Sequence, residues 1–119
     1  ADTAIAGRYG EALIALRHAL ASGADPVPLV AAVAMKLRTM ARVAGNREPA
    51  KALASRLGMK DWQIDRARRD LVGWNEESLG RAIQATARAD AEVKGGSRDA
   101  VFALERMITV IATRAPYGA

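Results

Sequence analysis

NEESLGRAIQATARADAEVKGGSRDAVFALERMITVI, residues 75–111, decides the fold class. Asn75 followed by Glu76 and Glu77 is a helix start, because a side-chain oxygen satisfies orphan N–H groups and carboxylates favour the positive end of the helix dipole. Leu79, Ile83, Thr86, Ala89 and Val93 then recur at helical spacing and place one stripe of a long helix against a core. Gly95 and Gly96 break it, Ser97 or Asp99 caps a second helix, and Val101, Leu104, Ile108 and Ile111 form that helix's inner face.

The same punctuation runs back to the start of the chain. After an opening fragment through Ile5, a helix is expected from about Tyr9 to Ser22, with Tyr9, Leu13, Leu16 and Leu20 on one stripe and Gly23 as its stop. Asp25 with Pro26 is an N-cap followed by proline at the first helical position. It opens a helix to about Ala44 whose apolar face is Val30, Val33, Leu37 and Met40, ended by Gly45 and Asn46. Pro49 opens a short helix that Gly58 closes, and Asp61 caps another to about Val72 before Gly73. Pro116 ends the order of the last helix. No alternating β-branched run argues for a strand, and the short connections make consecutive helices neighbours. The expectation is one all-α domain over residues 1–119, a compact bundle of five to seven helices.

Composition agrees and narrows the function classes. Half the chain is hydrophobic but only 4% is aromatic, so the apolar side chains are mainly Ala, Leu, Val, Ile and Met, which favour helices and close helix approach. Without cysteine there is no disulfide framework and no thiolate metal site. One histidine, His18, cannot complete a metal site alone and reads as a surface or packed residue. No apolar run approaches the roughly 20 residues of a membrane span, and no signal-peptide pattern opens the chain, so a soluble cytoplasmic protein is expected. Because it begins at Ala1 within a helical-looking stretch, the chain reads as a C-terminal piece of something longer.

The net charge of +5 is uneven. Residues 36–69 carry ten basic and three acidic side chains, against eight and ten elsewhere, so an anionic partner would meet the middle third. Within it, residues 50–69 show the offsets of a helix-turn-helix: Ala54 where two helices cross, Gly58 in the turn, and Ile64 returning to the core. Arg56, Arg66, Arg68 and Arg69 would form a DNA-proximal basic patch, as in a transcriptional regulator. The same pattern fixes any tight two-helix corner, and Trp62 near the base-reading positions argues against sequence reading.

No catalytic or nucleotide-binding pattern emerges. Lys94-Gly95-Gly96-Ser97 has the residue types of a phosphate loop in the wrong order and reads as a helix terminator. Asp90 and Glu92 point in different directions on a helix, whereas Asp90 and Lys94 form an ordinary i, i+4 surface pair. Neither a catalytic residue nor a cofactor is expected.

The run LGMKDWQIDRARRDLVGW (residues 57–74), SLGRAI from Ser78, and ARADAEVKGGSRDAVFALERMI (residues 87–108) resemble the C-terminal domain of the bacterial DNA polymerase III delta subunit, most of all its actinobacterial members. The segment from Gly7 to Val43 resembles the preceding part of that domain. The most specific likeness is Ala89-Asp90, Lys94-Gly95 and Ala103-Leu104-Glu105-Arg106 at these spacings. The resemblance implies a role in DNA replication as part of the clamp loader, the ATPase that opens the sliding clamp and places it on primed DNA. In that family two AAA+-like modules precede a helical collar domain, which joins its counterparts from delta prime and gamma or tau while ATP is handled elsewhere. The resemblance further implies that clamp contact is made by the N-terminal modules and not by the residues of this domain, and that DNA is met only indirectly. Interfaces concentrate their energy in aromatic and arginine anchors, so Trp62, Trp74 and Arg106 are the candidate interface residues. Trp74 is equally placed to cover the core, and Arg106 to pair within the domain.

Overall fold

The computed structural model describes residues 2–95 and 99–114. Gly96, Ser97 and Pro116, to which helix breaks or caps were assigned from sequence, lie outside the described residues. Among those described, the chain is helical throughout: α1 (Asp2–Ile5), α2 (Tyr9–Ala21), α3 (Pro26–Val43), α4 (Ala50–Leu57), α5 (Asp61–Asp70), α6 (Glu76–Lys94) and α7 (Ala100–Thr113). The all-α bundle expected from sequence is what forms.

Local chemistry sets the ends. The Val27 N–H donates to Asp25 Oδ1 at 2.9 Å, the Ser78 N–H to Asn75 Oδ1 at 2.7 Å, and the Phe102 N–H to Asp99 Oδ1 at 2.9 Å. Asn75 and Ser78 cap reciprocally, since the Asn75 N–H returns to Ser78 Oγ at 2.9 Å. Asp61 departs from its expected role: it is the first residue of α5 rather than the cap, and Gln63 Oε1 accepts from the Lys60 N–H at 2.9 Å. A longer side chain three residues on reaches the orphan donor that Asp61, already inside the helix, cannot. α5 also stops at Asp70, short of Val72, which is exposed.

α3 and α7 both pack on α6, and α2 packs on α7. The main core gathers Leu16, Val30, Leu37, Met40, Leu79, Ala82, Leu104 and Ile111 from these four helices. A second, smaller core joins Val43 of α3 to Leu53 and Ala54 of α4 and Ile64 and Ala67 of α5. Three of the anticipated stripes shift. On α6 burial centres on Ala82, with Ile83 only half-buried, because a small residue lets α3 and α7 come close where a larger one must stand aside. On α7 Val101 is 44% exposed, so the inner face begins with Ala103 and Leu104; Tyr9, placed on the α2 stripe, stands at its exposed edge.

Candidate subunit interface

Two clefts flank the start of the basic third of the chain. Between α3 and α5 lies a groove of about 410 Å³ with Ala32, Met40 and Ala67 among its lining residues and Met35 and Trp62 on opposite walls. Met35 is 67% and Trp62 59% exposed, an unusual outlay of large apolar surface in a chain with so few aromatics. Lys36 and Asp70 pair across one end at 3.4 Å, and Arg66 also lines the groove. A second cleft, of about 570 Å³, lies between α3 and α6. Its larger walls, Leu71, Trp74 and Ile83, are half-buried against the main core.

Trp74 covers the core, as its position after Gly73 allowed. Its Nε1–H donates to the Ile5 carbonyl at 3.1 Å, and the Arg114 guanidinium lies 4.7 Å from its ring centroid. Arg114 Nη2 donates to the same Ile5 oxygen, while Arg81 Nη2 donates to the Arg114 carbonyl at 3.1 Å. This knot ties both ends of the described chain to the α5–α6 turn. Sequence reading missed Arg114 and Arg81 because the partners that place them in this knot lie 109 and 33 positions away; Arg81 also pairs with Glu77 one turn earlier at 3.8 Å. Arg106 also works inside the domain: it hydrogen-bonds Glu92, which takes a second bond from Arg88 Nε at 3.0 Å, and it lies 5.3 Å from the Phe102 ring centroid. Partial burial pushes the Glu92 carboxyl up, but the hydrogen bonds from Arg106 and Arg88 outweigh it and hold its pKa below the usual value.

The helix-turn-helix offsets are realised as a corner. Gly58 turns with a left-handed φ of 68°, and Ala54 and Ile64 meet in the second core. Of the four arginines assigned to a DNA-proximal patch, Arg56 and Arg68 are tied to the α3–α4 connection. Arg56 pairs with Glu48 at 2.7 Å and reaches Asn46 Oδ1 at 2.8 Å. The hydrogen bond from Arg56 holds the Glu48 carboxyl below its ordinary pKa. Half-buried Arg68 donates to the carbonyls of Asn46 and Glu48, stitching α5 to the α3–α4 connection. Arg42 Nη2 donates to the Leu57 carbonyl at 2.7 Å, closing the C-terminus of α4. Arg66 and Arg69 stay exposed.

The residues behind the resemblance join α6, α7 and α2. Lys94 pairs with Asp90 at 3.0 Å on the last turn of α6, and the Gly95 N–H caps that turn on the Ala91 carbonyl at 2.9 Å. Ala89, Ala103 and Leu104 are buried between α6 and α7. Glu105 accepts from Arg17 Nε of α2 at 2.9 Å, and Arg106 turns back to α6. Each position in that pattern thus has a packing, capping or pairing task in the α2–α7–α6 layer.

A scan against family models matches residues 1–111 to the DNA polymerase III delta subunit, C-terminal domain. The chain belongs to this family. No curated protein and no solved structure matches it. In the delta C-terminal domain described here, no group of three or more His, Cys, Asp or Glu side chains among the described residues is arranged to hold a metal ion. No helix among them is long and apolar enough to cross a membrane.

Proposed function

We propose that this domain is a non-catalytic assembly module of the clamp loader. It acts in the cytoplasm as the delta-subunit wedge of a helical collar, alongside the corresponding domains of delta prime and gamma or tau, in the complex that places the sliding clamp on primed DNA. The observation that carries this reading is the family match over residues 1–111. The disposition of charge supports it. General acid–base and nucleophilic chemistry need an ionisable group poised in a cleft, its pKa moved by burial or by a neighbour. Here Glu48 and Glu92 have carboxyls lowered by arginine partners in ion pairs that hold helices and loops together. Such groups brace a scaffold. Contact with the sliding clamp belongs to the AAA+-like modules of the parent subunit, DNA is approached only within the complex, and no cofactor is required.

A DNA-binding regulator built on residues 50–69 is the competing reading, and the engagement of Arg56 and Arg68 with Glu48 and Asn46 counts against it. One pair of measurements separates the two. The collar reading expects the chain to co-elute with delta prime and gamma subunits in size-exclusion chromatography and to leave duplex DNA unshifted. A chain that elutes alone but shifts duplex DNA, with affinity falling steeply as salt rises through counterion release, would overturn it.

A further inference from the structure

We propose that the cleft between α3 and α5 is the seat of an amphipathic helix from a neighbouring clamp-loader subunit, one whose apolar stripe is edged by carboxylates; this rests on the collar reading above. The cleft is where exposed apolar surface converges. Among the other exposed large hydrophobics, Ile14 lies on α2 and Val72 in the α5–α6 turn, Val101 and Phe102 adjoin on α7 where the Arg106 guanidinium overlays Phe102, and the Tyr9 hydroxyl accepts from Thr109 at 3.3 Å. Met35 on α3 and Trp62 on α5 instead line one groove together with Ala32, Met40 and Ala67.

Its length suits a helix. The α5 wall runs from Trp62 to Asp70, nine residues whose eight rises of 1.5 Å span about 12 Å. Anchors at i and i+7 of a docked helix span about 10.5 Å, so a stripe of two or three apolar side chains fills the cleft from end to end.

Charge selects the occupant. Arg66 lines the groove, and helical spacing sets Arg69 beside it on α5 and Arg38 and Arg42 along the outer side of α3 next to Met35 and Thr39. Of the carboxylates on α5, Asp70 is paired with Lys36 and Asp61 and Asp65 are exposed, so the four arginines Arg38, Arg42, Arg66 and Arg69 outnumber the exposed acids beside the groove. A helix with flanking Glu or Asp complements that rim, whereas a second copy docked through this same face would bring the same cations against themselves.

The test mixes the chain with full-length delta prime and gamma subunits. Complex formation is read by size-exclusion chromatography with light scattering, and affinity by anisotropy of the labelled chain. Trp62→Ala and, on the opposite wall, Met35→Ser are compared with Ile14→Ala on α2, each checked for native helicity by far-UV circular dichroism. Trp62→Ala is expected to weaken assembly at least about 30-fold, as for a buried aromatic anchor, with Met35→Ser weakening it less and Ile14→Ala leaving it unchanged. Arg66→Glu is expected to weaken it about tenfold or more and to flatten its salt dependence. Normal assembly by folded Trp62→Ala and Met35→Ser variants overturns the cleft while sparing the collar reading. Assembly indifferent to Arg66→Glu and to salt overturns the acidic-edged occupant. A concentration-dependent dimer of the chain alone that Trp62→Ala abolishes shows a second copy in the cleft and likewise overturns the proposal. Failure of the unaltered chain to join delta prime and gamma removes the collar reading itself.

Discussion

Gly73→Ala tests the knot at the α5–α6 turn more directly than any truncation there, because two separable penalties meet at one atom. Gly73 has φ of +83°, a backbone state that costs an L-residue with a Cβ about 1–2 kcal/mol. A Cβ there would also lie 2.5 Å from Arg114 Nη1, inside contact distance, so the guanidinium must move. That guanidinium stacks 4.7 Å from the Trp74 ring centroid and donates to the Ile5 carbonyl, so displacing it forfeits a cation–π contact of about 0.5–2 kcal/mol and a charged hydrogen bond of about 1.5–3 kcal/mol. Some of this returns as the guanidinium finds water, which leaves about 2–4 kcal/mol in all, a large share of a typical domain stability of about 5–15 kcal/mol. Gly23→Ala is the internal control: its φ is +90° but open space surrounds the new Cβ, so only the backbone penalty applies. Urea unfolding followed by tryptophan fluorescence gives both values, and Gly73→Ala should exceed Gly23→Ala by about 1–2 kcal/mol. In an Arg114→Ala background that excess should vanish. Equal costs for the two glycine substitutions, or an excess that survives without Arg114, would refute the clash.

Leu104→Ala removes a fully buried side chain and should cost about 2–5 kcal/mol in the same assay, whereas Val101→Ala, on the exposed side of α7, should change stability by less than about 0.5 kcal/mol. Arg68→Ala leaves the Asn46 and Glu48 carbonyls without their donor and should cost about 1–3 kcal/mol, with Arg69→Ala near neutral; equal effects would show that the stitch between α5 and the α3–α4 connection is not a stabilising one. Glu92 and Glu48 have carboxyls lowered on folding, so the unfolded chain takes up protons first: their contribution is intact above the unfolded carboxylate pKa and is lost as pH falls through the lower folded values. Urea midpoints measured from pH 7 to pH 2.5 should therefore fall in the acid range, and Glu92→Gln should flatten part of that fall; an unchanged profile would mean that Arg106 and Arg88 do not hold that carboxylate in solution.

What the linear chain determined is the set of helices and most of their ends. Asp25, Asn75 and Asp99 act on N–H groups two or three residues ahead, and a left-handed glycine such as Gly58 needs no distant partner, so these features follow from short-range physics. The buried faces were legible to within a residue, and the miss at Ile83 came from weighing hydrophobic size where close approach to two helices favoured Ala82. Only the tertiary structure decided where the long cationic side chains go. Arg56 and Arg68 read as a basic patch because their charge is visible in sequence, but their partners on the α3–α4 connection are 8 to 22 residues away. The knot contacts of Arg81 and Arg114 had no local signal, and Trp62 could be told from Trp74 only once the packing of α3 on α5 left one ring in solvent and closed the Arg114 knot over the other. A flexible arginine can span several ångströms in many directions, so its bonding partner is set by which backbone carbonyls the packed helices bring within reach.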